Sequence, residues 1–372
     1  MSWKRSCLEA VVWGWARWGG GGGVFPESPR SILVLRNNDL GDLLVITPLF
    51  EALRRLFPAA RIVAGVGDWN RPVLERNPHL SAVVSVNAPW HNRFVRPQGL
   101  LASMEYLLSS REVEELAAQH FEVGIDVLGS PFGSLLLLRS GIPHRLGVKG
   151  YAGGHSAAHR CVSFSEEDYV GGASLRFAEL LGATALPPVK PQLFLTEAEQ
   201  EAAESTWQAF QGARRRKGRR IVLGPGGGFP AKCWPLEEWS NLARLLAQIT
   251  GDSVLVVGGK KDANDGEFLE RVNPGVKNLA GREGLRQTFA LVAKSDLVLC
   301  NSSLLMHVAA AFAKPALVLL GDCFPSASAH AAQWAGGPQI LVLGKDGSRS
   351  SIFAAVEVFE VIQRERLGLL AA

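Results

Sequence analysis

Long unbroken hydrophobic runs are missing from this 372-residue chain. No apolar stretch reaches the roughly 20 residues that a membrane-spanning helix needs, so a spanning topology is not expected. Cysteine is scarce. Cys7, Cys161, Cys233, Cys300 and Cys323 are odd in number and show no C-x-x-C spacing. That argues against a disulfide framework or a structural zinc site and favours a reducing cytoplasm. A large charge imbalance is absent as well. The net charge of +4 falls short of a nucleic-acid-binding signature and fits a mild preference for anionic partners. The first residues do not read as a secretory signal, because Arg17 and four tryptophans (Trp3, Trp13, Trp15, Trp18) interrupt their apolar stretch.

Several catalytic spellings are missing too. Lys232 follows an alanine, so the GK[ST] of a Walker A loop is absent, and Gly224-x-Gly226 runs into Phe229 where G-x-G-x-x-G needs its last glycine. P-loop hydrolysis and nicotinamide binding are therefore unsupported. No G-x-S-x-G elbow and no paired catalytic cysteine and histidine occur. His155 and His159 have i, i+4 spacing without an adjacent acid, a weak metal pattern. The basic run "RRRKGRR" (214–220) reads as a solvated helix end and turn.

Two stretches that are present share one plan. "SILVLRNNDLGDLLVITPLFEALRRLFPAARIVAGV" and "RRIVLGPGGGFPAKCWPLEEWSNLARLLAQITGDSVLVVGG" each give an apolar strand, a glycine-bearing loop, an amphipathic helix and another strand. In the first helix Leu49, Leu53 and Leu56 form the apolar stripe and Arg54 and Arg55 take the other face; in the second the stripe is Trp239, Leu242 and Leu246. Strands apolar at successive positions are buried on both faces, as in parallel sheets covered by helices. The spacing predicts an α/β chain with two doubly wound, Rossmann-like domains. Residues 1–30 form a Trp-rich segment and a glycine linker (Gly19 to Gly23), residues 31–187 the first domain, 188–350 the second and 351–372 a final helix. The seam falls near "LPPVKP" (186–191).

In doubly wound sheets, ligands bind beyond the carboxyl ends of the strands. The glycines of "GPGGGFPAKCWP", Gly226, Gly227 and Gly228, let backbone N–H groups approach a phosphate, with a helix N-terminus behind them and Lys232 adding a full charge. A tight turn with a solvated lysine is the plainer reading. Asp42 in "RNNDLGDLLVITP" is either an ordinary first-turn carboxylate or a general base aimed at a hydroxyl nucleophile; Asp39 suits a cap or turn. Asn301, Ser302 and Ser303 open a helix and suit both capping and sugar hydroxyls, and His307 one turn later is by itself a structural histidine.

Three stretches in this order, "ILVLRNNDLGDLLVITPLFEALRRLFP", "GPGGGFPAKCWPLEEWSNLARLL" and "SDLVLCNSSLLMHVAAAFAKPALVLLG", resemble the lipopolysaccharide heptosyltransferases of glycosyltransferase family 9. The resemblance covers about Ile32 to Leu320. It implies a GT-B fold, two Rossmann-like domains facing across a cleft, the second holding a nucleotide sugar such as ADP-heptose. It implies Asp42 as base and Lys232, with Gly227 and Gly228, at the diphosphate. The family's DTGxxH becomes Asn301, Ser302, Ser303 and His307, with asparagine for the acid and serine for the glycine. The expected activity is metal-independent, inverting transfer to a lipopolysaccharide core or related lipid-linked acceptor, with no cofactor beyond the donor. Another nucleotide sugar, or a non-catalytic binding role, remains open through Asn301 and Ser303; restoring the acid, Asn301→Asp, is expected to improve use of ADP-heptose.

Arg93 and Arg96 in "PWHNRFVRP" are placed to meet an anionic acceptor. On a helix, Leu8, Val11, Val12 and Trp15 align in an apolar stripe, with Lys4 and Arg5 at its start. On a flexible glycine tether that pattern is expected to anchor the chain peripherally on the cytoplasmic face of the inner membrane; docking on the protein's own surface, or disorder, is the plainer reading.

Overall fold

The computed structural model describes residues 9–10, 12–16, 24–212, 218–346, 353–365 and 367–368. The chain divides into two compact units, Met1–Val189 and Lys190–Ala372.

In the first unit the strands are β1 (Ser31–Leu35), β2 (Arg61–Val66), β3 (Ala82–Ser85), β4 (Val123–Asp126), β5 (His144–Lys149) and β6 (Arg160–Ser163). They form one parallel sheet in the order β3-β2-β1-β4-β5-β6. Leu33 at the centre of β1 lies opposite Val63 on β2 and Gly124 on β4. Ile32, Leu33 and Val34 are fully buried, because helices cover both faces of a parallel sheet. The helix Pro48–Leu56 begins with proline, whose missing N–H costs nothing at that position, and buries Leu49, Phe50, Ala52 and Leu53. Arg54 is more than a solvated outer-face residue. Its guanidinium donates to the carbonyls of Pro58, Ala60 and His79 and fastens the turn into β2.

The second unit repeats the plan with β7 (Arg220–Gly224), β8 (Ser253–Val256), β9 (Val276–Asn278), β10 (Leu297–Asn301), β11 (Ala316–Leu319) and β12 (Ile340–Leu343). The parallel order is β12-β11-β10-β7-β8-β9. Trp239, Leu242 and Leu246 are fully buried, as their spacing predicts. The helix carrying Trp239 is Leu236–Leu245, and Leu246 opens a π turn, Leu246–Thr250. The final helix is Ala355–Arg364. In both sheets the strand order reverses beside the first strand, between β1 and β4 and between β7 and β10. Those two switch points are where open α/β sheets bind ligands.

Three expectations change. Of the basic run, residues 214–217 lie outside the described residues, while Arg219 and Arg220 are not solvated charges. Arg219 forks onto the buried Asp252 at 2.7 Å and Arg220 onto Glu204 at 2.7 Å. His155 and His159 do not share a helix. His159 Nδ1 accepts from the Arg145 amide at 3.2 Å, a structural contact. In the N-terminal segment Val12 is fully buried in the first unit's core cluster with Trp90, Leu107 and Leu135. Trp13 and Trp15 are exposed. A stripe that packs Val12 into a core cannot present that side chain to lipid; Leu8, Val11, Trp3, Trp18, Lys4, Arg5, Arg17 and the glycine run lie outside the described residues. No helix among the described residues is long and apolar enough to cross a membrane.

Candidate active site

At the first switch point, β1 runs into Arg36-Asn37-Asn38-Asp39 and the short helix Leu40–Leu44. Asp42 sits in its first turn. Arg36, 6% exposed, grips Asp42 twice, donating Nε–H to its carbonyl at 3.2 Å and pairing Nη2 with Oδ1 at 3.3 Å. The loop is laced to its surroundings. Asn37 donates to Trp90 O at 3.3 Å and Asn38 to His91 O at 3.2 Å; Asn38 O accepts from the Trp69 indole and the Asn70 amide, each at 2.9 Å. Asp39 occupies the N-cap position without making the cap hydrogen bond expected of it. Its Oδ2 pairs with Arg93 at 3.2 Å instead, which brings one of the two candidate acceptor arginines onto the base loop. Trp69 stacks on Phe94 at 4.7 Å between centroids. Arg96 is exposed and donates to its neighbour's carbonyl, Val95 O, at 3.5 Å.

Behind the loop, Asp126 ends β4 beside Leu35 of β1. It is fully enclosed, and that desolvation raises its carboxyl pKa to about 6, against the pull of the Gly129 and Ser130 amides and of Arg36. Arg36 thus pairs with the part-exposed Asp42 while its charge also acts on the buried Asp126.

At the second switch point, Gly226 and Gly227 are half-buried and Gly228 is exposed. The reasons these positions are glycine differ from close phosphate approach alone. A Cβ on Gly226 would strike the Asp262 carboxylate, and one on Gly227 would lie 2.7 Å from Cys233 Sγ. A helix does not open directly behind the glycines. The 3₁₀ turn Pro230–Lys232 intervenes and the helix starts only at Leu236. Its partial charge fades within a turn, so the helix dipole adds little at this loop, contrary to expectation. Lys232 Nζ lies between two aromatic rings, 5.3 Å from the Phe229 centroid and 5.6 Å from that of Phe324. Contacts of this kind are worth about 0.5–1 kcal/mol each at exposed sites and hold the ammonium beside the loop.

Asn301 is the clearest correction. It is fully buried, and both ends of its amide are occupied by backbone. Its Oδ1 accepts from Trp234 N at 2.9 Å, and its Nδ2 donates to the carbonyls of Pro225 and, at 3.4 Å, Gly226. It ties the glycine loop to the Trp234 turn rather than meeting a sugar hydroxyl. His307 is also buried, edge-on to Trp334 at 6.0 Å, and burial followed by the nearby His330 lowers its pKa to about 3. The imidazole is neutral and enclosed, and its Nδ1 finds no hydrogen-bond partner among the described residues. Ser302 and Ser303 are half-buried. Ser302 Oγ hydrogen-bonds His330 Nε2 at 2.8 Å. Phe324 and His330 lie in "DCFPSASAH", where the family pattern lapses, and Lys261 and Asp262 in "GGKKDAND"; neither stretch by its residue types alone marks a site. Among the described residues no group of three or more His, Cys, Asp or Glu side chains is placed to hold a metal ion.

Residues 110–333 match the family model for glycosyltransferase family 9 (heptosyltransferase). Lipopolysaccharide heptosyltransferase 2 of Escherichia coli K12 is 30% identical over 314 residues, spanning 79% of this chain and 83% of that one. The solved E. coli ADP-heptose LPS heptosyltransferase II superposes with a TM-score of 0.69 at 22% identity, over 90% of this chain and 98% of the other. E. coli heptosyltransferase WaaC with ADP-2-deoxy-2-fluoro heptose gives 0.68 at 16% identity, over 90% and 99%. The two parallel-sheet units are those of the GT-B fold.

Proposed function

Because the chain belongs to glycosyltransferase family 9 and is a glycosyltransferase, we propose that it moves a heptose from ADP-heptose to a lipopolysaccharide core or related lipid-linked acceptor. The observation that carries this reading is the likeness to the E. coli enzyme named for that transfer, aligned across both units. In this reading each unit contributes residues from its own switch point. Asp42, fixed by Arg36 through both backbone and carboxylate, takes the proton of an acceptor hydroxyl as that oxygen attacks the anomeric carbon. The new glycosidic bond forms as the bond to the diphosphate oxygen breaks, with inversion, and ADP departs with the electron pair. Lys232 and the amides of Gly227 and Gly228 stabilise that leaving group in place of a divalent ion, so turnover persists in EDTA. Ser302 and Ser303 supply hydroxyls at the sugar end. Arg93 and Arg96 meet anionic groups of the acceptor.

Asn301 supports the glycine loop through Pro225 and Trp234, a role an active transferase also needs. We place the enzyme at the cytoplasmic face of the inner membrane, where such an acceptor is reached, with Trp13 and Trp15 as the outward residues of a docked segment. The test of the core proposal is Asp42→Asn. ADP-heptose affinity should hold while kcat falls by about 10²–10⁴-fold, the usual share of general-base catalysis. Normal turnover by this variant would leave Asp42 as a structural partner of Arg36 in the first helical turn.

A further inference from the structure

The glycine loop has a second lysine beside it, which neither its spelling nor its family pattern singles out. Lys261 lies in the 3₁₀ turn Lys260–Asp262 at the carboxyl end of β8, the neighbour of β7 on the side away from β10. Its Nζ donates to Gly227 O. The next residue fixes this turn against the loop. Asp262 is buried, accepts from Gly259 N at 2.8 Å, and fills the space under Gly226 that a Cβ would need. Lys232 belongs to the other flank. Its ring partner Phe324 packs edge-on against His330 at 4.8 Å, and His330 holds Ser302 at the end of β10. The two ammonium groups therefore bracket the loop along the line β10–β7–β8.

Resting on the donor-site reading above, we infer that Lys261 binds the phosphate next to the nucleoside while Lys232 binds the phosphate that leaves the sugar. A diphosphate laid across the loop with its sugar end at Ser302 points its nucleoside end toward β8. Each phosphate of the diester carries one negative charge, and a third charge develops on the pair as the sugar departs. One ammonium per phosphate matches the first two. The partner that Lys261 has in the structure is a neutral carbonyl, and a phosphate oxygen makes the stronger, charge-assisted bond, so the lysine exchanges one for the other on binding.

The test is calorimetric titration of the full chain with AMP and with ADP, for Lys261→Met, Lys261→Gln and Lys232→Met. Loss of Lys261 should weaken AMP and ADP alike, by about tenfold, whereas loss of Lys232 should weaken ADP and spare AMP. Lys261→Gln separates charge from loop support, since glutamine can still donate to Gly227 O but carries no charge; it should lose as much as methionine. AMP affinity at the wild-type level in either Lys261 variant, or a loss confined to ADP, would overturn the inference. Wild-type protein that binds no ADP, or a Lys232→Met protein that binds it normally, would instead overturn the donor-site reading on which the inference stands.

Discussion

Asn301→Asp sets the expectation from family spelling against the structure. If this position read the sugar, restoring the acid would improve use of ADP-heptose. The buried amide argues the reverse. Its Nδ2 donates to Pro225 O and Gly226 O, so a carboxylate there would put an oxygen against two carbonyl oxygens and keep only the acceptor bond from Trp234 N. Leaving a buried acceptor unsatisfied costs about 1–3 kcal/mol, and enclosing a charge without a counterion adds to it, so a loss of about 2–4 kcal/mol is expected near neutral pH. A protonated carboxyl, in contrast, can donate to Pro225 O and accept from Trp234 N together. The folded pKa of the introduced group is thereby raised above its unfolded value of about 3.9. The sign follows: the variant approaches wild-type stability below about pH 4 and loses ground as pH rises through the folded value. Urea unfolding of both proteins at about pH 4.5 and about pH 8 reads this difference. ADP binding should weaken as well, because the Pro225–Gly226 loop loses its strut. A variant as stable as wild type at the higher pH, with faster turnover of ADP-heptose, would refute the reasoning and make the position a donor contact.

Asp126 carries a second pH signature. With its pKa raised from 3.8 to about 6 by burial, wild type should lose about 3 kcal/mol relative to Asp126→Asn as pH climbs from about 4 to about 6, read by urea unfolding at intermediate steps. An unchanged difference across that window would mean that the carboxyl is not enclosed as described. For the membrane proposal, full-length protein should sediment with anionic vesicles at low salt, and the double variant Trp13→Ser, Trp15→Ser should stay in the supernatant with its stability intact. Equal sedimentation of the two would remove these tryptophans as the anchor.

Periodicity alone determined the two parallel sheets, because strands buried on both faces must be apolar at every position, as Ile32–Leu35 and Ile221–Leu223 are. It did so less well at the sheet edges, where β3, β9 and β12 are short and carry partly exposed residues that blunt the pattern. The positions of the loops were legible too, since glycine-bearing segments follow the apolar strands β1 and β7, and the seam prolines stand close to the Val189–Lys190 division. What each loop residue does was decided only by tertiary contacts. Sequence spacing cannot tell that Asn301 spends its whole amide on Pro225, Gly226 and Trp234, or that Asp262 occupies the space under Gly226. Nor does it place Arg36 on Asp42, Arg93 on Asp39, or His330 on Ser302. A local pattern fixes which side chains reach a strand's end, whereas their partners come from chain segments up to dozens of residues away, and only packing brings those within hydrogen-bond range.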